Sequence, residues 1–127
     1  MHQNTDTFSF SGRIRSTLHA GRGILAMLKS QHNAWVHAFA TVCVVVAGIV
    51  FGVSAMEWCF LILAMVGVWV AEGLNTAFEF LCDVASPEFH PLVKQSKDVA
   101  AGAVLLSAIG AAAIGVVILG PYLLGYL

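Results

Sequence analysis

The sequence predicts an all-α integral membrane protein: three transmembrane helices preceded by an amphipathic helix on the membrane surface. Three observations carry that reading. Of 127 residues, 59 % are hydrophobic and only 10 % are Asp, Glu, Lys or Arg, whereas roughly a quarter of a soluble domain is charged. The mean hydropathy is +0.87. The apolar residues also gather into three runs, each near the ~20 residues that a helix needs to cross a bilayer core of ~30 Å. A chain of this length organises as one domain, residues 1–127. Its net charge of −1 gives no general attraction for nucleic acid.

Residues 1–12 are polar and lead into no short apolar region with a small-residue cleavage site, so they read as no signal peptide. Residues 13–30, "RIRSTLHAGRGILAMLKS", form the surface helix. Ile14, Leu18, Gly21, Leu25 and Leu28 follow helical spacing, while Arg15, His19, Arg22 and Lys29 take other faces. Such a helix lies in the interface plane with its basic groups toward anionic lipid. The first span is 34–53, uncharged, with His37 near its start. His37 reads as a hydrogen-bonding residue at the interface, with a place in the site as the alternative. The second span is 58–81, apolar as far as Ala71 and then interrupted by Glu72, Asn75 and Glu79. The third is 99–124, with no charged residue. "SAME", Ser54–Glu57, makes a tight turn between the first two spans. The polar stretch 83–98, broken by Pro87 and Pro91, joins the last two.

All six basic residues fall on one side of this topology. Arg13, Arg15, Arg22 and Lys29 precede the first span, and Lys94 and Lys97 lie between the second and third. By the positive-inside rule the N-terminus and the second connection are cytoplasmic. Gly48 and Gly52 have G-x-x-x-G form, and Ser107, Ala111 and Gly115 repeat small residues every fourth position. Both patterns are suited to close helix approach. Cys43, Cys59 and Cys82 lie in apolar segments without metal spacing and read as small hydrophobes.

The polar stripe on the second span needs an explanation. Glu72, Asn75 and Glu79 are spaced by three and four, so they share one helix face over about 10 Å of axis. A charge at the bilayer centre costs on the order of 2.5–3.5 kcal/mol on insertion scales. The stripe therefore requires a partner or a function. It descends from the cytoplasmic boundary at Glu79 into hydrocarbon at Glu72, where a water-soluble reagent can meet a lipid. Lys97 and Asp98 stand close by, at the start of the third span, with Glu88, His90 and Lys94 in the connection before it. Lysine binds phosphate as a point charge, and carboxylates are the oxygen ligands Mg²⁺ prefers. No Walker A or kinase glycine-rich pattern occurs. Spacing alone stops at a carboxylate-lined membrane site facing the cytoplasm, which a non-enzymatic protein with an ion site would also satisfy.

The stretch "AEGLNTAFEFLCDVASPEFHPLVKQSKDVAAGAV", Ala71–Val104, resembles the signature of the prokaryotic diacylglycerol kinase and undecaprenol kinase family. The shared pattern is Glu-x-x-Asn-Ser/Thr-Ala-x-Glu, then Asp, a turn of the form seen in Ser86–His90, and Lys-Asp before the last span. The likeness extends upstream through "HNAWVH" and covers about residues 12 to 120. It implies a homotrimer in the bacterial inner membrane, with active sites shared between subunits on the cytoplasmic side. It implies transfer of the γ-phosphate of ATP, with Mg²⁺, to the hydroxyl of a membrane lipid, diacylglycerol first and undecaprenol as the alternative. By the same resemblance Glu72 is the catalytic base, Asn75 the site amide and Glu79 a metal ligand. Lys97 and Asp98 contact nucleotide, as do Glu88, Phe89 and His90, and His19 on the surface helix.

The sequence departs from the family at two positions. Where the pattern is Glu-x-Asn-x-Arg-x-His, this chain has Gln31 and Trp35. The usual Glu is the second metal ligand, and Gln31 offers a neutral carbonyl instead. The expectation is a raised Mg²⁺ requirement or lower activity, relieved by Gln31→Glu, with a poorly active family member as the extreme case.

Overall fold

A computed structural model describes residues 8–125; the part of the signal-peptide reading that falls on residues 1–7 lies outside the described residues. Four helices follow one another, with no strand among the described residues: α1 (Phe10–Ser30), α2 (His32–Phe51), α3 (Ala55–Ala85) and α4 (Pro91–Gly125). The last three are each long and apolar enough to cross a membrane.

Helix α1 begins where the Ser9 hydroxyl oxygen accepts from the Gly12 N–H, one of the orphan donors of a first turn. It is exposed along most of its length. Only Met27 is buried, packed over Gly73 of α3. One residue separates α1 from α2: Gln31, extended at φ −119°, ψ 121°. Helix α2 stops at Gly52, whose φ of +63° is the left-handed conformation that ends helices and that glycine adopts without a Cβ penalty. Ser54 and Glu57 then form a reciprocal capping box that starts α3.

The connection between α3 and α4 is shorter than the polar stretch 83–98 suggests. Helix α3 runs on to Ala85 and α4 starts at Pro91, so only residues 86–90 are non-helical. Proline is well suited to a first helical position because its missing N–H is unpaired there anyway. Lys94, Lys97 and Asp98 consequently stand on the first turns of α4 and not in a loop.

Helices α3 and α4 pair most closely, and α2 leans across both. Leu61, Val68 and Val104 are the buried apolar centre. The G-x-x-x-G pair does two separate jobs. Gly48 makes room for the Trp58 indole, since a Cβ there would lie 2.5 Å from the ring, while Gly52 is the helix stop. Ala111 and Gly115 line an apolar cleft of about 770 Å³ between α2, α3 and α4. Large apolar residues such as Phe39, Leu63, Leu74 and Leu106 are exposed, as they are on a surface that meets lipid.

Candidate functional site

The polar stripe of α3 is turned inward. Glu72 is 1 %, Asn75 7 % and Thr76 3 % exposed, although most of α3 around them is open. The three follow one helix face, and Thr76 donates its hydroxyl proton to the Glu72 carbonyl one turn earlier. Across from them stand Gln31 at the α1–α2 junction, Asn33 and His37 of α2, and Ala101, Val104 and Ala108 of α4. With Glu72, Asn75 and Glu79 they line a pocket of about 270 Å³.

The pocket has a mouth and a floor that differ in chemistry. At the mouth Glu79 is held by two amides. The Gln31 side-chain N–H donates to Oε2 at 2.7 Å, and that of Asn75 to Oε1 at 3.4 Å. At the floor Glu72 has neither carboxylate oxygen hydrogen-bonded, and Asn75 Oδ1 and His37 Nε2 are likewise buried without a partner. Buried polar atoms are almost always paired, and leaving one unpaired costs about 1–3 kcal/mol. Four such atoms in one small pocket mark a place shaped for something polar.

The structure thus brings Gln31, Glu72, Asn75 and Glu79 together. It adds His37, whose Nε2 lies 3.4 Å from Glu72 Oε2 with its side chain 15 % exposed. His37 is therefore turned into the bundle and not toward the interface. Its place follows from the register that the Gln31–Glu79 bond sets, which neither helix signals by itself. Six residues along α2 from Gln31 and seven back along α3 from Glu79 both cover about 9–10 Å of helix. Those steps lead from the Gln31–Glu79 bond to the His37–Glu72 contact, and four and three residues further to the bond that the Trp69 indole N–H donates to Thr41 Oγ1.

The other sequence candidates lie apart from the pocket lining. Lys97 donates to Asp83 Oδ1 at 2.6 Å and ties the end of α3 to α4. Asp98 accepts from Lys94 at 2.7 Å. The two are not paired with each other. Glu88, Phe89 and His90 form the exposed turn between these helices. The Ser86 hydroxyl donates to the Glu88 carbonyl, and the His90 ring Nδ1 accepts from the Leu92 N–H at the start of α4. His19 is exposed on α1, and Trp35 is 67 % exposed on α2, pointing away from the pocket.

Among the described residues, no three His, Cys, Asp or Glu side chains converge as a ready cation site. The donors at hand are oxygen-rich: the Glu79 carboxylate, the unpaired Asn75 Oδ1 and the Gln31 amide, whose nitrogen faces Glu79. This set fits Mg²⁺, which commonly takes one or two carboxylates and completes its shell with phosphate and water. It does not fit a thiolate- or imidazole-bound metal.

Comparison with known proteins agrees with the sequence pattern. Residues 18–119 match the family described as prokaryotic diacylglycerol kinase. The chain is 38 % identical over 110 residues to the undecaprenol kinase of Bacillus subtilis (strain 168), covering 87 % of this chain and 89 % of that one. It is 37 % identical over 107 residues to the diacylglycerol kinase of Synechocystis sp., covering 84 % of this chain and 61 % of that protein. A diacylglycerol kinase of Helicobacter pylori (strain ATCC 700392 / 26695) is 37 % identical over 70 residues, 55 % of this chain and 54 % of its own.

Proposed function

The chain belongs to the prokaryotic diacylglycerol kinase family, and on that premise we propose that it transfers the γ-phosphate of ATP to the primary hydroxyl of undecaprenol. The relative that matches over nearly the whole of both chains is named for that acceptor. Diacylglycerol, the acceptor expected first from the sequence, is the second reading. It is supported by relatives matched over smaller shares of their lengths.

One observation carries the site assignment: Glu72, buried and unpaired, at the floor of a polar pocket that shares His37 and Ala108 with the apolar cleft. A lipid lying along the cleft brings its hydroxyl to that carboxylate. The hydroxyl proton passes to Glu72, the new O–P bond forms, and the bond from phosphorus to the β-phosphate oxygen breaks to leave ADP. Such transfers need positioning and charge neutralisation more than covalent help from the protein. Glu79, Asn75 and Gln31 are the residues that would hold Mg²⁺, which when bound neutralises charge on the transferring phosphate. Lys97, Asp98, Glu88, Phe89, His90 and His19 are assigned to the nucleotide on the strength of the motif they occupy. Residues 1–127 act as one lipid-kinase domain. The homotrimer and the inner membrane are assigned on the strength of the family resemblance alone, and the placement of all six Lys and Arg residues supports a cytoplasmic basic end.

The test is an assay of purified protein in mixed micelles with Mg-ATP and either lipid, beside a Glu72→Gln control. Phosphorylated lipid that falls to a small residual rate in the control supports the assignment and names the acceptor. Wild-type protein inactive on both lipids at high Mg²⁺ would overturn it.

A further inference from the structure

The contact between His37 and Glu72 plays no part in the proposal above, on which the present inference rests and which it deepens. A structural histidine in an apolar bundle normally has its ring nitrogens satisfied. Here His37 Nε2 faces Glu72 Oε2 at 3.4 Å, yet neither atom is in an aligned hydrogen bond. The ring is steadied from its other sides. Trp69 meets it edge to face, with centroids 6.2 Å apart and planes at 75°. The Trp69 indole N–H is donated to Thr41 Oγ1 at 3.0 Å, and the Thr41 hydroxyl donates to the His37 carbonyl at 2.7 Å. Two side chains, Trp69 and Thr41, thus fix an imidazole against a carboxylate in a site that offers both few other partners.

We propose that His37 is the positioning residue of Glu72. A carboxylate only accepts hydrogen bonds, so the bond runs from Nε2–H to Oε2. That bond holds the carboxylate with Oε1 free to receive the proton of the acceptor hydroxyl. Hydrogen bonds of this kind are often long in the empty enzyme and tighten when substrate binds. Trp69 and Thr41 set the ring, the ring sets the carboxylate, and the carboxylate meets the lipid. His37 itself stays off the reacting atoms.

The experiment compares wild type, His37→Leu and His37→Gln in the micelle assay, with ATP and lipid each varied. His37→Leu is expected to lower kcat on the order of a hundredfold, the loss that a misplaced catalytic group produces, with the KM for ATP little changed. His37→Gln, which keeps an N–H at similar reach, is expected to recover most of that loss. In a Glu72→Gln background, His37→Leu should cost nothing further, because it acts through Glu72. Full activity in His37→Leu, an equal loss in both variants, or an added loss in that background would each overturn the proposal. A wild type inactive on both lipids would sink the kinase reading and not this contact. The contact is then read by thermal unfolding of His37→Leu, Glu72→Gln and the double variant in micelles. Non-additive shifts uphold it, and additive shifts overturn it.

Discussion

The two ends of the helical bundle each carry a buried or half-buried glutamate, and they treat it in opposite ways. At the end away from the basic residues, Glu57 is engaged through Oε2. It accepts from the Ser54 N–H at 2.8 Å and from the Tyr122 hydroxyl at 2.7 Å, and Tyr122 in turn stacks on Phe51 with centroids 5.8 Å apart. At the basic end, Glu72 has a histidine nearby and no aligned hydrogen bond. A satisfied carboxylate closes a structure: this one joins the α2–α3 turn to the tail of α4. An unsatisfied one, surrounded by other unpaired atoms, holds open a place for chemistry. The difference separates the two glutamates where sequence composition does not.

The largest effect expected from breaking this contrast is at Glu72. Glu72→Gln keeps the shape and removes the proton acceptor, and should cost about 10²–10⁴ in lipid phosphorylation with no loss of melting temperature. A protein that unfolds instead would place Glu72 among the structural groups beside Glu57. Next is packing near the opposite end. Gly48→Ala sets a methyl group against the Trp58 ring, and overpacking of this kind costs about 1–3 kcal/mol. Unfolding in micelles should register it while turnover per folded molecule stays at the wild-type level. An unchanged melting temperature would mean that the indole moves aside freely.

Smaller still is the change at the pocket mouth. Gln31→Glu replaces a hydrogen-bond donor to Glu79 with a second carboxylate, which repels it until a cation enters. The Mg²⁺ concentration for half-maximal activity should fall about tenfold, and Mg²⁺ should raise the melting temperature of the variant more than that of the wild type. Identical Mg²⁺ responses in both proteins would remove Gln31 from the metal site. The smallest effect is expected for Tyr122→Phe, which deletes one bond to Glu57 and keeps the ring stack. It should lower the melting temperature slightly and leave kcat alone. Lost activity there would show that the two ends are not independent.

Much of this contrast could be read from the sequence, for physical reasons that also explain the gaps. Apolar runs must be about 20 residues long to cross a bilayer, so the spans announce themselves. Polar side chains spaced by three and four within such a run share a face whatever the tertiary structure, and Glu72, Asn75 and Glu79 were legible on that ground. The helix ends were less so. Residues 83–85 and 91–98 belong to a stretch that resembles a loop in composition, and only the run of α3 to Ala85 and the start of α4 at Pro91 show that they are helical. The partners of Lys97 and Asp98 could not be foreseen, since exposed charges on adjoining turns have several near-equal choices. His37 was missed because its meaning lies in the register between two helices, which the Gln31–Glu79 bond fixes and neither helix encodes by itself.

The one-residue break at Gln31 has a mechanical consequence. A linker of several residues would let the surface helix ride up, down or sideways while the interior stayed still. Here a single pair of dihedral angles sets the angle between α1 and α2 and also aims the amide that holds Glu79. The joint would act as a crank and not as a hinge with play: movement of α1 against the membrane would turn the same residue that grips the carboxylate. Bilayer thickness and lateral pressure therefore gain a lever on the pocket mouth, and turnover should vary with the chain length of the surrounding lipid. One glycine inserted after Ser30 would put slack into that crank and flatten the dependence; a dependence that survives the insertion would show that the coupling runs elsewhere.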